Sequence, residues 1–209
     1  LCGTPWLNAS GWRYAGSVGP REVPPAVLAL GQRIARAGVR GLFGIDGILN
    51  ERGFHPLEIN PRYTASVEVL EYSSGLSALA HHAASFGYGK TPPVPAHHRV
   101  VGKAILYAAD DLVFPVEGPW TGAKGDPPPF ADIPEARTPV SAGQPVLTLL
   151  AAGADEEAVL GELRRLAGDV EQALGGKRHD AERTRRAGGG ADEGITGSLD
   201  DDGRRRYRP

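Results

Sequence analysis

Residues 41–66 read GLFGIDGILNERGFHPLEINPRYTAS, and no other segment says as much about fold and chemistry together. Two β-prone runs, Val39–Asn50 and Phe54–Asn60, flank Glu51-Arg52-Gly53, a short connection with glycine where a positive φ is often needed, so a hairpin is expected. A three-residue loop pairs Asn50 with Phe54, and the register then carries Asp46 opposite Glu58. Strand side chains alternate faces, so Glu58 and Asn60 point the same way. Directly opposed residues have Cβ atoms ~4.5–5.5 Å apart. Two carboxylates that close repel unless something positive lies between them. Asp46, Glu58 and Asn60 all offer oxygen, the donor that a hard cation such as Mg²⁺ (or Mn²⁺) takes. Arg62, two residues on, is placed to reach an anion beside that metal. Taken as residues alone, the pattern leaves two readings open: a metal-and-phosphate site, or solvated strand carboxylates with a common Glu-x-Asn pair.

Working outward, the order of elements is mixed α and β. Trp12 to Ser17 suggests a short strand ending at Gly19-Pro20, and Gly16-Ser17-Val18-Gly19, which lacks a GxxxxGK[ST] layout, reads as a turn. Pro24-Pro25 opens a helix whose Val27, Leu30, Ile34 and Ala37 recur at helical spacing, with Gly38 as its stop. After Pro61 a helix is capped by Thr64 or Ser66, carries Val67 and Leu70, and breaks at Gly75 before Leu76 and Leu79. Val100–Ala108, Leu112–Val116 and Pro145–Ala152 read as strands, and Trp120–Pro129 as an irregular loop. Asp155-Glu156-Glu157 begins the clearest helix, with acids at its positive end and a stripe of Val159, Leu160, Leu163, Leu166, Val170 and Leu174.

Composition narrows the class. Among 209 residues, 25 acidic side chains face 23 basic ones for a net charge of −2, which excludes a basic nucleic-acid binder. No apolar run approaches the ~20 residues of a membrane helix. One cysteine, Cys2, excludes an internal disulfide and a cysteine zinc cage and suits a reducing, cytoplasmic setting. The sequence starts at Leu1 and contains no Met, so it reads as a piece of a longer protein. From Gly175 to Pro209, 9 Lys/Arg, 7 Asp/Glu and 8 Gly accompany almost no aliphatic residues, so a disordered tail is expected there. Arg204-Arg205-Arg206 within it is the alternative, an anion-binding or targeting patch.

The motif residues are also recognisable. Phe43-Gly44-Ile45-Asp46 followed by Leu57-Glu58-Ile59-Asn60-Pro61-Arg62 closely resembles the metal-binding end of the ATP-grasp superfamily. Thr64-Ala65-Ser66-Val67-Glu68 and Trp12-Arg13-Tyr14-Ala15-Gly16-Ser17 are similar to a subgroup of carboxylate–amine ligase-like members, the tyramine–glutamate ligase relatives among them. The likeness is specific over residues 12–87. It is thinner over 97–174, where Ala131-Asp132-Ile133-Pro134 and Ala142-Gly143-Gln144-Pro145-Val146 resemble C-terminal extensions of such ligases. It implies an α+β fold, the C-terminal half of an ATP-grasp fold with an antiparallel sheet and packed helices, plus a small α/β extension. The implied division is 1–90 for the lobe, 97–174 for the extension and 175–209 for the tail.

The same resemblance implies roles. Asp46 and Glu58 would hold one Mg²⁺, Glu58 and Asn60 a second, both on the β- and γ-phosphates of ATP. Arg62 would steady the transferred phosphoryl group. A substrate carboxylate would form an acyl phosphate and an amine would displace phosphate to give an amide, chemistry of positioning and charge neutralisation. The lobe with the phosphate-covering Gly-rich loop would precede this segment, so the fragment alone is expected to be inactive. Two departures bear on the substrate. Ser66 stands where biotin carboxylases have Glu, and Gly44 where some dipeptide ligases have Arg. A non-catalytic ATP-grasp relative binding nucleotide or a protein partner, and a metal-dependent hydrolase using Asp46 and Glu58, are the alternatives. His81-His82 and His97-His98 fit no zinc spacing. His55 is expected on the strand face away from Glu58, and Lys103 as a surface strand residue or, less well, a phosphate contact.

Overall fold

Two long β-prone runs, rich in Val, Ile and Leu, form the centre of the structure, a computed structural model that describes residues 2–3, 13–95 and 99–175. They are β4 (Val100–Tyr107) and β8 (Pro145–Gly153), which pair antiparallel. Strand β1 (Gly16–Gly19) joins the outer side of β4 and β6 (Phe130–Ala131) the outer side of β8, giving the order β1-β4-β8-β6. The short strand expected over Trp12 to Ser17 thus runs through Gly16–Gly19, which also reads as a turn in the sequence and is a fully buried strand. Small side chains with neighbours on both sides serve a strand edge as well as a turn. Between the central strands, β5 (Leu112–Val113) and β7 (Pro139–Val140) make a two-residue ladder. The expected strand 112–116 therefore stops three residues early.

A helix covers each face of the sheet. Helix α4 (Glu156–Ala173) begins at Asp155, whose carboxylate accepts from the Ala158 amide at 2.8 Å. It buries Val159, Leu163, Leu166 and Val170, the predicted stripe. These pack with Val18, Leu147, Leu149 and Ala151, and with Phe114, Trp120 and Phe130, in one core cluster. Each buried Leu or Val contributes roughly 1.5–3 kcal/mol by leaving water. The approach is so close that a Cβ on Gly102 would sit 2.4 Å from Val159 Cγ1. On the next residue of β4 the side chain of Lys103 points to the other face, where Glu68 of helix α2 (Ala65–Ser74) receives it. The stack is α2, sheet, α4. β1 lies before the proline loop at 92–95 and β4 after it, so the stretches 1–90 and 97–174 share one sheet.

The remaining elements lead to the motif. Helix α1 (Pro25–Arg36) buries Ile34 and leaves Leu28 exposed. β2 (Gly44–Asn50) and β3 (Gly53–Asn60) form the expected hairpin as a separate two-stranded sheet. Helix α2 has Thr64 at its N-cap position, without a side-chain capping bond, and ends at Gly75 with φ +72°. Its buried face carries Val69 and Ser73 rather than the expected Val67 and Leu70. Helix α3 (Ala78–Ser85) follows, capped by Ser77, and leaves Leu79 exposed. The tail beyond Gly175, the patch at Arg204–Arg206, Trp12, His97 and His98 lie outside the described residues. Among the described residues no helix is long and apolar enough to cross a membrane.

Candidate active site

The register of the hairpin differs from expectation in two ways that offset each other. Asn50 pairs with Gly53, and Leu49, not Asn50, pairs with Phe54. The turn is therefore two residues, Glu51-Arg52, braced by the Arg52 amide donating to Asn50 Oδ1 at 2.9 Å. Gly53 takes φ +115° as the first strand residue. A break in register between Asp46 and Gly47 leaves Leu57 as an extra residue in β3, and Asp46 pairs with Glu58 after all. The bulge also changes parity. His55 pairs with Ile48, which shares a face with Asp46, so His55 lies on the Asp46–Glu58 side and its Nε2 is 3.3 Å from Asn50 Oδ1.

At the base of the hairpin the motif side chains form a chain of hydrogen bonds. Asn60, only 6 % exposed, donates from Nδ2 to Asp46 Oδ2 at 3.0 Å. Its Oδ1 accepts from Arg62 Nη2 at 3.1 Å, and Arg62 Nη1 donates to the Tyr63 carbonyl at 3.2 Å. Asp46 and Glu58 are exposed, and no hydrogen bond or ion pair among the described residues engages the Glu58 side chain. A buried amide thus holds one carboxylate on one side and a guanidinium on the other. The two carboxylates are hard oxygen ligands suited to Mg²⁺, while Asn60 turns its NH2 to Asp46 and its oxygen to Arg62. The site contains two acidic ligands rather than three, and no group of three or more His, Cys, Asp or Glu side chains able to hold a metal occurs among the described residues. Two carboxylates fit a Mg²⁺ that completes its shell with other oxygens, and Asn60 would add one with its amide reversed.

Close backbone contacts hold this base in place. A Cβ on Gly44 would meet the Thr64 side chain at 2.7 Å, and one on Gly47 the Phe54 ring at 2.4 Å. Upstream of β2, the Leu42 amide donates to His82 Nδ1 at 3.0 Å while the His82 ring rests against Phe86 at a centroid separation of 5.1 Å. Gly41, at φ +79°, lies under that ring. His82, read from sequence only as a poor zinc candidate, thus anchors the entry to β2. A Gly-Leu pair ahead of Phe43 gave no sign of it.

Behind the motif lies a cleft of about 590 Å³ lined by Tyr63, Glu68, Glu71, Tyr72, Leu76 and Lys103, with small residues between them. Lys103 is buried, not on the surface, and its Nζ meets Glu68 Oε2 at 2.5 Å. Glu71 uses both oxygens, accepting the Tyr63 hydroxyl at 2.5 Å and the Ala78 amide at 2.7 Å. Partial burial, the Glu71 hydrogen bond and the nearby Glu71 and Glu68 charges push the Tyr63 phenol well above its usual range. On the sheet side, the Tyr14 hydroxyl donates to Ser17 Oγ at 3.0 Å, and Ser17 pairs with Lys103 across β1 and β4. Sequence reasoning missed this cleft, because its charged members come from α2 and from a strand 35 residues later.

No protein-family model matches the sequence, and no curated protein matches it. Solved structures do match in three dimensions. Phosphoribosylglycinamide synthetase from Anaerococcus prevotii superimposes with a TM-score of 0.61 at 11 % identity, over 80 % of this chain and 47 % of that one. L-amino acid ligase from Bacillus licheniformis gives 0.58 at 12 % identity, over 78 % and 45 %. The biotin carboxylase domain of Hydrogenobacter thermophilus 2-oxoglutarate carboxylase, in complex with MgADP, ADP and bicarbonate, gives 0.55 at 12 % identity, over 74 % and 38 %. The chain spans less than half the length of these structures. Among the described residues, antiparallel sheets and four helices form an α+β fold that matches part of the ATP-grasp fold.

Proposed function

We propose that this chain is the metal- and phosphate-binding part of an ATP-dependent carboxylate–amine ligase, of the kind to which the tyramine–glutamate ligase relatives belong. The observation that carries the reading is the buried Asn60 amide, which joins Asp46 to Arg62 with Glu58 paired across the hairpin. Asp46 and Glu58, with Asn60 once its amide oxygen is turned toward them, are the residues that would hold Mg²⁺ (or Mn²⁺), which when bound would neutralise the phosphate charge of ATP. Arg62, already oriented by Asn60 Oδ1 and the Tyr63 carbonyl, offers its remaining N–H groups to the transferred phosphoryl group. A substrate carboxylate attacks the γ-phosphate, ADP leaves, and an amine displaces phosphate from the acyl phosphate to form an amide. The reaction needs positioned charge and no covalent enzyme nucleophile. The MgADP bound in the carboxylase structure supports the nucleotide assignment.

Adenine contacts and a cover that excludes water are part of any tight ATP site, and this chain matches less than half of each structure it resembles. The 209-residue chain alone should therefore bind Mg-ATP weakly and make no amide. A longer protein containing it should release ADP only when both a carboxylate and an amine are supplied. Nucleotide binding without turnover would favour the non-catalytic reading, and phosphate release from a substrate without ATP would favour the hydrolase.

A further inference from the structure

We propose that Glu71 is a positioning residue of the candidate site, acting on Arg62 through the Tyr63 hydroxyl. The inference rests on the ligase reading for what Arg62 does, while the contacts that hold Arg62 stand without it. Arg62 is exposed, and two bonds orient its guanidinium: Nη2 to Asn60 Oδ1 and Nη1 to the Tyr63 carbonyl. A carbonyl is a firm acceptor only when its own residue is held. Tyr63 lies between β3 and α2, outside any helix or strand, so no ladder of backbone bonds fixes it. Its side chain does so instead. The phenol donates to Glu71 Oε2, on the last turn of α2, at 2.5 Å. Because that phenol is raised well above its usual range, it stays protonated and donating near neutral pH.

Glu71 is itself a fixed post. Its Oε1 accepts the Ala78 amide at 2.7 Å, and its backbone carbonyl accepts the Gly75 amide at 2.7 Å. Ala78 is buried and opens α3, where an amide has no partner within its own helix. Satisfying that amide takes one carboxylate oxygen. The second reaches back eight residues to Tyr63, which the helix start does not require. Contacts continue from α3 to β2, since His82 accepts the Leu42 amide just ahead of that strand. One carboxylate therefore joins the segment that carries Arg62 to the helix that anchors the strand of Asp46.

The test has two arms, and each variant removes a known part of the contact. Tyr63→Phe deletes the donor, and Glu71→Ala deletes both bonds. Glu71→Gln can keep both, its amide oxygen accepting from Ala78 and its NH2 donating to the phenol oxygen. In the 209-residue chain without nucleotide, the Arg62 Nε–Hε NMR signal reports on the guanidinium. Tyr63→Phe and Glu71→Ala should shift that signal and speed its exchange with water at least ~3-fold, and Glu71→Gln should restore it. In the longer protein, Tyr63→Phe should lower kcat at least ~3-fold with the KM for ATP held within about 2-fold. In an Arg62→Ala background the same substitution should lower kcat no further, because a residue that acts through Arg62 has nothing left to act on. An unmoved Arg62 signal in the folded Tyr63→Phe and Glu71→Ala chains would overturn the proposal. So would an equal loss of turnover with and without Arg62. A longer protein that makes no amide would end the ligase reading, and the NMR arm would still decide the positioning role.

Discussion

The β4–β8 pair and the β2–β3 hairpin are built alike: both are antiparallel, both are rich in branched aliphatic residues, and both are interrupted by one break in register. Their environments are opposite. Leu149 and Leu150 on β8 are 1 % exposed, whereas Leu49 is 53 % and Leu57 68 % exposed on the hairpin. The difference lies in what covers the strands. β4 and β8 have α4 on one face and β4 has α2 on the other. The hairpin is held at its base, by the Thr64 side chain against Gly44 and by Asn60 and Arg62, and it projects from there. The same β-prone composition therefore supplies a core in one place and a presented edge in the other. Stability should depend on the first and chemistry on the second.

The sharpest break of that contrast is Leu149→Ala, which should cost about 2–5 kcal/mol by opening a cavity under α4, read as a lowered denaturation midpoint. If the midpoint holds, the sheet is not the core. Next, Glu58→Gln in the longer protein should lower turnover by at least ~10² with its melting temperature unchanged, because it weakens a phosphate-side ligand on an exposed strand. Wild-type turnover in that variant would remove Glu58 from the site. Gly102→Val should destabilise by about 1–3 kcal/mol, since the added methyls meet Val159 and Leu163. Urea titration of the 209-residue chain measures it.

A smaller effect concerns pH. Tyr63 has its phenol raised in the folded chain, so its contribution is full below the unfolded value of ~10 and is lost as pH rises through the folded value. Melting temperatures from pH 8 to 11 should fall more steeply for the native chain than for Tyr63→Phe; parallel curves would show that the Glu71 contact does not persist in solution. The smallest change belongs to the hairpin again. Leu57→Ala should shift stability by no more than about 0.5 kcal/mol, as for other exposed sites, and a loss above 2 kcal/mol would mean that the hairpin is covered in solution.

Much of the fold was legible in the sequence because its signals are local. The α4 stripe, the Asp155 cap, the Gly75 stop and the hairpin around Glu51 each lie within a few consecutive residues. The two-residue strands β6 and β7 carry too few side chains to show a period, and they exist because β8 and β5 offer partners. Lys103 looked exposed for a related reason. A strand residue's burial depends on the helix lying over it, and the Glu68 that receives Lys103 is distant in sequence. The candidate site was legible as a pairing, Asp46 with Glu58, but by a loop length that the chain does not have.

That extra residue, Leu57, has a consequence for comparing this hairpin with others. Above the bulge, paired positions sum to 103, as in Gly47 with Pro56; at Asp46 and Glu58 they sum to 104. In a regular ladder continued from the turn, Asp46 would face Leu57 and the carboxylate pair would not exist. Length variation is therefore unequal along the hairpin. Loss of Leu57 itself straightens β3 and keeps Asp46 opposite Glu58, while loss of one residue from the two-residue turn shifts every pairing below it. An alignment of related hairpins should place its gap inside β3, beside the glutamate, and an alignment that places it at the turn would match the wrong residues across the whole tip.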